Sequence, residues 1–165
     1  MQIEACIGCG IETDKIDGAV HKYLKSSPGC WAKFGEILSK EYGDYEYMSV
    51  HGLTVDAYAL QHPGTQGPQT LSSANVHLAS LYSYFELGKP MSELSNIKQE
   101  IIKHKSSLVW LEPPKSITEV TVADILDSGT ALQHCDNVKK WAAYVYEEWK
   151  FHHSAISSIL SLKGT

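Results

Sequence analysis

Apolar residues recur along most of this chain at intervals of three and four, the spacing that gathers them on one face of a helix. Trp31, Phe34, Ile37 and Leu38 form the first such face, on a helix predicted from Ser27-Pro28 to about Tyr42. Ser27 suits the cap, and Pro28 suits the first helical position, where its missing N–H would have no partner anyway. Gly43-Asp44 ends the helix, and Tyr45, Tyr47, Met48 and Val50 follow in a connection read as extended. The next helix is short and central. Thr54 is its expected cap, Asp56 lies in its first turn, and Pro63-Gly64 stops it. Leu71, Ala74, Leu78, Leu81 and Phe85 predict a longer helix from Thr70 to Leu87. Met91, Leu94, Ile97, Ile101 and His104 continue the pattern, with Ser92 or Ser95 as cap. Pro113-Pro114 forbid helix in a loop that opens at Leu108. Thr121 to Asp124 read as a capping box ahead of a brief helix ending at Gly129. Trp141, Val145, Glu148, His152, Ile156 and Ile159 share one face of a single long helix from Asp136 to about Leu162, closed by Gly164. The reading is an all-α fold, mainly a helical bundle over residues 31–165, with a zinc-knuckle-like segment over residues 1–30 and one domain in all.

Composition narrows the function more than the fold. A chain of 165 residues with 43% hydrophobic content suits one domain with its own core. A net charge of −5 and a pI near 5.9 exclude a nucleic-acid surface, because no Lys/Arg stripe exists to neutralise phosphates. Residues 57–85 hold no Asp, Glu, Lys or Arg, yet Gln, His, Pro, Gly, Ser and Asn break the run too often for a membrane span. Met1-Gln2-Ile3-Glu4 has neither the basic nor the apolar region of a secretory signal, so a cytoplasmic location is expected. In that setting four cysteines point to metal ligands or plain buried thiols rather than to disulfides.

Cys6-Ile7-Gly8-Cys9-Gly10 is the tight knuckle that lets two thiolates face one Zn²⁺. His21 and Cys30 are the candidates to complete a Cys₃His set, with unligated thiols or a redox pair as the competing readings. A second site is expected among imidazoles on facing helices. His62 closes the central helix, His77 stands beside an apolar stripe, and His152 or His153 lies on the last helix. Together they are candidate ligands for a second divalent metal, with Asp56 or Glu148 as general base or supporting carboxylate. Such a site would make the protein a metal-dependent hydrolase or related enzyme acting on a small-molecule substrate. The alternative is a binding or adaptor module with only a structural zinc. Histidines that are simply hydrogen-bonded in the core compete with the ligand reading one by one. His134 is a further possible member, while His51 and His104 are read as exposed and without function.

Several phrases taken together resemble a family of small bacterial proteins of unknown function: Cys6-x-x-Cys9-Gly10, Ser27-Pro28-Gly29-Cys30-Trp31, Leu53-Thr54-Val55-Asp56-Ala57-Tyr58-x-x-Gln61-His62-Pro63-Gly64, Val76-His77-Leu78 and Trp149-x-x-His152-His153. The likeness spans nearly the whole chain. It implies a shared architecture and no activity. It also implies that Cys6, Cys9, Cys30, His62, His77 and the His152-His153 pair belong to the family's pattern, in which a proline often stands where this chain has Ile7.

Overall fold

The computed structural model describes residues 1–115 and 117–162. Two short strands, β1 (Ile3–Ala5) and β2 (Glu12–Asp14), pair antiparallel with Ile3 opposite Asp14, forming a hairpin at the N-terminus. Helices follow: α1 (Pro28–Gly43), α2 (Tyr45–Met48), α3 (His51–Gln61), α4 (Pro68–Phe85), α5 (Met91–Lys103), α6 (Val122–Leu126), α7 (Ala131–Glu148) and α8 (His153–Leu160). Among the described residues no helix is long and apolar enough to cross a membrane. The fold is all-α with a small N-terminal knuckle.

α3 is the axis of the bundle. It packs against α4 and α7, with further contacts to α1 and α5, and from Asp56 to Gln61 every side chain is buried. A helix enclosed on all sides has no polar face to give to water, which explains its weak amphipathic pattern. Its C-terminal end would leave carbonyls unpaired; one indole pairs such a carbonyl and a second holds the side chain of the helix's last residue. Trp149 donates from Nε1 to the Leu60 carbonyl at 3.1 Å, and Trp141 donates to Gln61 Oε1 at 3.1 Å. Gln61 in turn donates through Nε2 to the carbonyls of Ile117 and Val120, at 2.9 and 2.7 Å. The long connection before α6 is thereby fastened to the end of α3.

Local signals hold at several ends. Ser27 accepts the Cys30 N–H as the α1 cap, with Pro28 in the first turn, and Thr121 and Asp124 form the capping box of α6. Four expectations need correction. The connection after α1, read as extended, contains the short helix α2, capped by Asp44, whose side chain accepts the Glu46 N–H at 2.9 Å. α3 begins at His51, not after Thr54, and its cap position is Val50 with no side-chain bond. Thr54 is interior because its hydroxyl serves a buried carboxylate, donating to Glu41 Oε1 at 2.5 Å. α5 likewise starts behind Pro90 with no side-chain cap from Ser92 or Ser95. The long final helix is two helices. α7 stops at Glu148, Trp149 turns inward to reach α3, and a 3₁₀ turn over Lys150–His152 leads into α8. Gly164, the expected stop, lies outside the described residues.

Candidate metal centre

The β1–β2 hairpin turns through Cys6 to Gly10. Cys6 N–H donates to the Ile11 carbonyl and Gly10 N–H to the Cys6 carbonyl, both at 2.8 Å. Gly10 sits at φ +75°, a left-handed position that glycine takes without strain. Gly8 passes so close to the chain that a Cβ there would run into the His62 ring and the Lys25 carbonyl. The knuckle therefore packs directly on the end of α3. Cys30 is delivered from the first turn of α1, and His62 from the residue that caps α3.

The ligand atoms of Cys6, Cys9, Cys30 and His62 all lie within 4.8 Å of one another, and all four residues are buried. Among the described residues this is the group of His, Cys, Asp or Glu side chains able to hold a metal ion. Cys9 Sγ is 3.8 Å from Cys30 Sγ, and His62 Nε2 is 3.4 Å from Cys30 Sγ. His62 Nδ1 donates to the Tyr58 carbonyl at 2.8 Å, which fixes the tautomer and turns the Nε2 lone pair toward the sulfurs. Tyr58 stacks between Phe34 and His62, with centroids 3.8 and 4.0 Å away, and its hydroxyl stands 3.5 Å from Cys30 Sγ. Burial, reinforced by the nearby Cys30, pushes the Tyr58 phenol far up, so it stays a donor. The Cys6 thiol is held far below its ordinary value by hydrogen bonds from Cys30 and Cys9. Cys30 is driven far up by its bonds to Cys6 and Cys9 and by burial. Three sulfurs this close cannot all ionise unaided; a divalent cation at their centre would remove the repulsion.

The expected membership changes at one position. His21 is not in the cluster. It is half-buried, accepts the Tyr23 N–H at Nδ1 over 3.1 Å, and sets its ring edge-on to Trp31 at 5.4 Å. Its place is taken by His62, which the sequence reading assigned to the other site.

Residues 4–150 match a family described as a family of unknown function, DUF5946. The chain belongs to DUF5946. Neither curated proteins nor solved structures give a match.

The remaining imidazoles of this DUF5946 chain do not gather around His62. His77 Nδ1 lies 2.7 Å from Asp56 Oδ1, inside a buried polar knot where Asp56 also meets Lys98 Nζ and accepts from Ser80 Oγ, each at 2.5 Å. Asp56 is therefore a mid-helix carboxylate holding α3 to α4 and α5, not a first-turn acid. His152 Nε2 is 2.8 Å from the Glu112 carbonyl. His153 stacks on Tyr146 at 4.0 Å and contacts its carbonyl at 3.0 Å, and burial draws its pKa down. Glu148 ends α7, and the turn at Trp149 separates it from His152. The second site expected from His62, His77, His152 or His153 is not assembled.

A second buried carboxylate in this DUF5946 chain went unnoticed in the sequence. Glu41 on α1 is fully buried and meets His134 Nε2 at 2.9 Å, His51 Nδ1 at 2.8 Å and Thr54 at 2.5 Å. Burial alone would raise its pKa, but the bonds from His134, His51 and Thr54 outweigh that and hold it below the carboxylate's ordinary value. His51, expected to be free, is thus part of a buried network. The signal available was Glu41 seven residues after Phe34, on the apolar face of α1.

Proposed function

We propose that this chain is a zinc-braced helical binding module, in which Zn²⁺ held by Cys6, Cys9, Cys30 and His62 is structural. The donor set carries the reading. A tetrahedral zinc with Zn–S of about 2.3 Å and Zn–N of about 2.0 Å separates its sulfurs by about 3.8 Å and sulfur from nitrogen by about 3.5 Å. The distances of 3.8 Å for Cys9–Cys30 and 3.4 Å for Cys30–His62 fit that figure. Four protein donors fill a tetrahedron, leaving no position for a reacting water, and their burial points the same way. Zinc here ties the N-terminal hairpin, whose strands are mostly exposed, to the start of α1 and the end of α3. Three reduced thiols go with a reducing, cytoplasmic setting.

The hydrolase reading lacks support. His77, His152 and His153 each answer to a different partner, so no second triad of imidazoles converges on one ion. The binding-module alternative is favoured instead.

Elemental analysis of purified protein is the test. About one equivalent of zinc is expected, lost in Cys30→Ser and His62→Ala and kept in His21→Ala and His77→Ala. Zinc retained without Cys30 and His62, or none in the unaltered protein, would overturn the assignment.

A further inference from the structure

A hollow of about 710 Å³ opens between the segment around Tyr23-Leu24, the start of α4, and the end of α5. We propose that it binds a small amphipathic monoanion, an apolar or aromatic body bearing one carboxylate or sulfonate. This rests on the binding-module reading and supplies its ligand class.

Size comes first. Pockets for small organic ligands run from about 300 to about 1,000 Å³, and this hollow falls in that range. Its walls are mainly apolar: Tyr23 and Leu24 on one side, Leu71 on α4, and Ile102 and Leu108 on the far side. Tyr23 and Ile102 remain 41% and 44% exposed, so the hollow presents apolar surface to solvent. An apolar ligand body would cover them.

Charge selects the rest of the ligand. Lys105 is the only charged side chain lining the hollow, and no Asp or Glu faces it among the described residues. Lys105 makes no ion pair there with another described residue. The whole protein carries −5, so a concave surface whose sole charge is positive runs against the general field and marks this place for an anion. One ammonium matches one negative group. A phosphate monoester or a polyanion would bring more charge than the walls answer.

The wall is also pre-formed. Leu24 pairs with Pro63 in a β-bridge, and Lys25 N–H donates to the carbonyl of His62 at 3.1 Å. The Tyr23-Leu24 side is therefore fastened to the metal cluster's own residue, and a ligand need not order it on arrival.

The test is a titration of the full, zinc-loaded chain with naphthalene-1-sulfonate, followed by amide chemical shifts and compared with neutral naphthalene-1-sulfonamide. Saturable shifts confined to the 21–24 segment, Leu71 to Ser73 and Ile102 to Leu108 are expected. Lys105→Glu should weaken the sulfonate about tenfold or more and leave the sulfonamide within about twofold, the scale of one partly exposed charge contact and its reversal. Leu71→Trp should block both by filling the hollow. Shifts that are absent or scattered, or affinity unchanged in Lys105→Glu, overturn the proposal. Zinc measured on the same samples separates the two readings. Full zinc without confined shifts overturns the hollow alone, whereas confined shifts without zinc overturn the structural zinc and leave the hollow standing.

Discussion

Replacing Glu41 by Gln should destabilise the protein far more than a one-atom change suggests. The carboxylate takes three contacts on two oxygens, from His134, His51 and Thr54, at 2.9, 2.8 and 2.5 Å. A glutamine keeps one acceptor oxygen and turns an NH₂ toward groups that were donating. Each buried donor stranded this way costs about 1–3 kcal/mol, and loss of one member of a buried charged network costs about 3–5 kcal/mol. His134 cannot escape by switching tautomer. Its Nδ1 is already buried without a partner, and a proton moved there would be stranded too. A loss of about 2–4 kcal/mol follows, which for a chain of this length is a fall in Tm of about 5–15 °C. The assay is urea unfolding with zinc held constant, repeated across pH. Glu41 titrates in the folded protein below its ordinary 4.5. Its stabilisation is therefore complete above about pH 4.5 and drains away as pH falls through the folded value. The gap between wild type and Glu41→Gln should be flat at neutral pH and close on acidification. A neutral-pH loss under about 1 kcal/mol, or a gap that widens in acid, would refute the account of this network.

Three further outcomes follow from contacts already described. Tyr58→Phe removes the hydroxyl 3.5 Å from Cys30 Sγ; the protein should still take up zinc, but about tenfold more weakly in competition with a chelator, as for other groups that support a ligand. Gly8→Ala drives a Cβ into the His62 ring, so zinc retention should fall sharply on dialysis while far-UV helicity persists. Trp149→Phe deletes the donor to the Leu60 carbonyl and should cost about 1–3 kcal/mol in urea unfolding, without altering zinc content.

Much of the helical plan was legible because caps and stops are local. Ser27-Pro28, Pro63-Gly64 and the Thr121–Asp124 box each act within a few residues, and the structure uses all three. What could not be read was set by partners distant in sequence. The break at Trp149 carries no glycine or proline; it exists because the indole finds a carbonyl on α3, 89 residues away in the chain. Thr54 looks like a cap until Glu41, 13 residues earlier, is seen to need its hydroxyl. The metal cluster shows the same division. Cys6 and Cys9 announce themselves by spacing, and Cys30 by its place beside a capped helix start. Choosing between His21 and His62 required knowing that the knuckle lies on the end of α3 rather than folding on itself.

That His62 supplies the fourth donor bears on synthesis. Cys6, Cys9 and Cys30 leave the ribosome first, and the imidazole that completes the set follows 32 positions after Cys30. A nascent chain shorter than that offers an ion only an incomplete sulfur nest, open to exchange and to oxidation. With zinc held as proposed, tight loading would wait until α1 and α3 have been made and docked, and a captured ion would report that the first half of the bundle has come together.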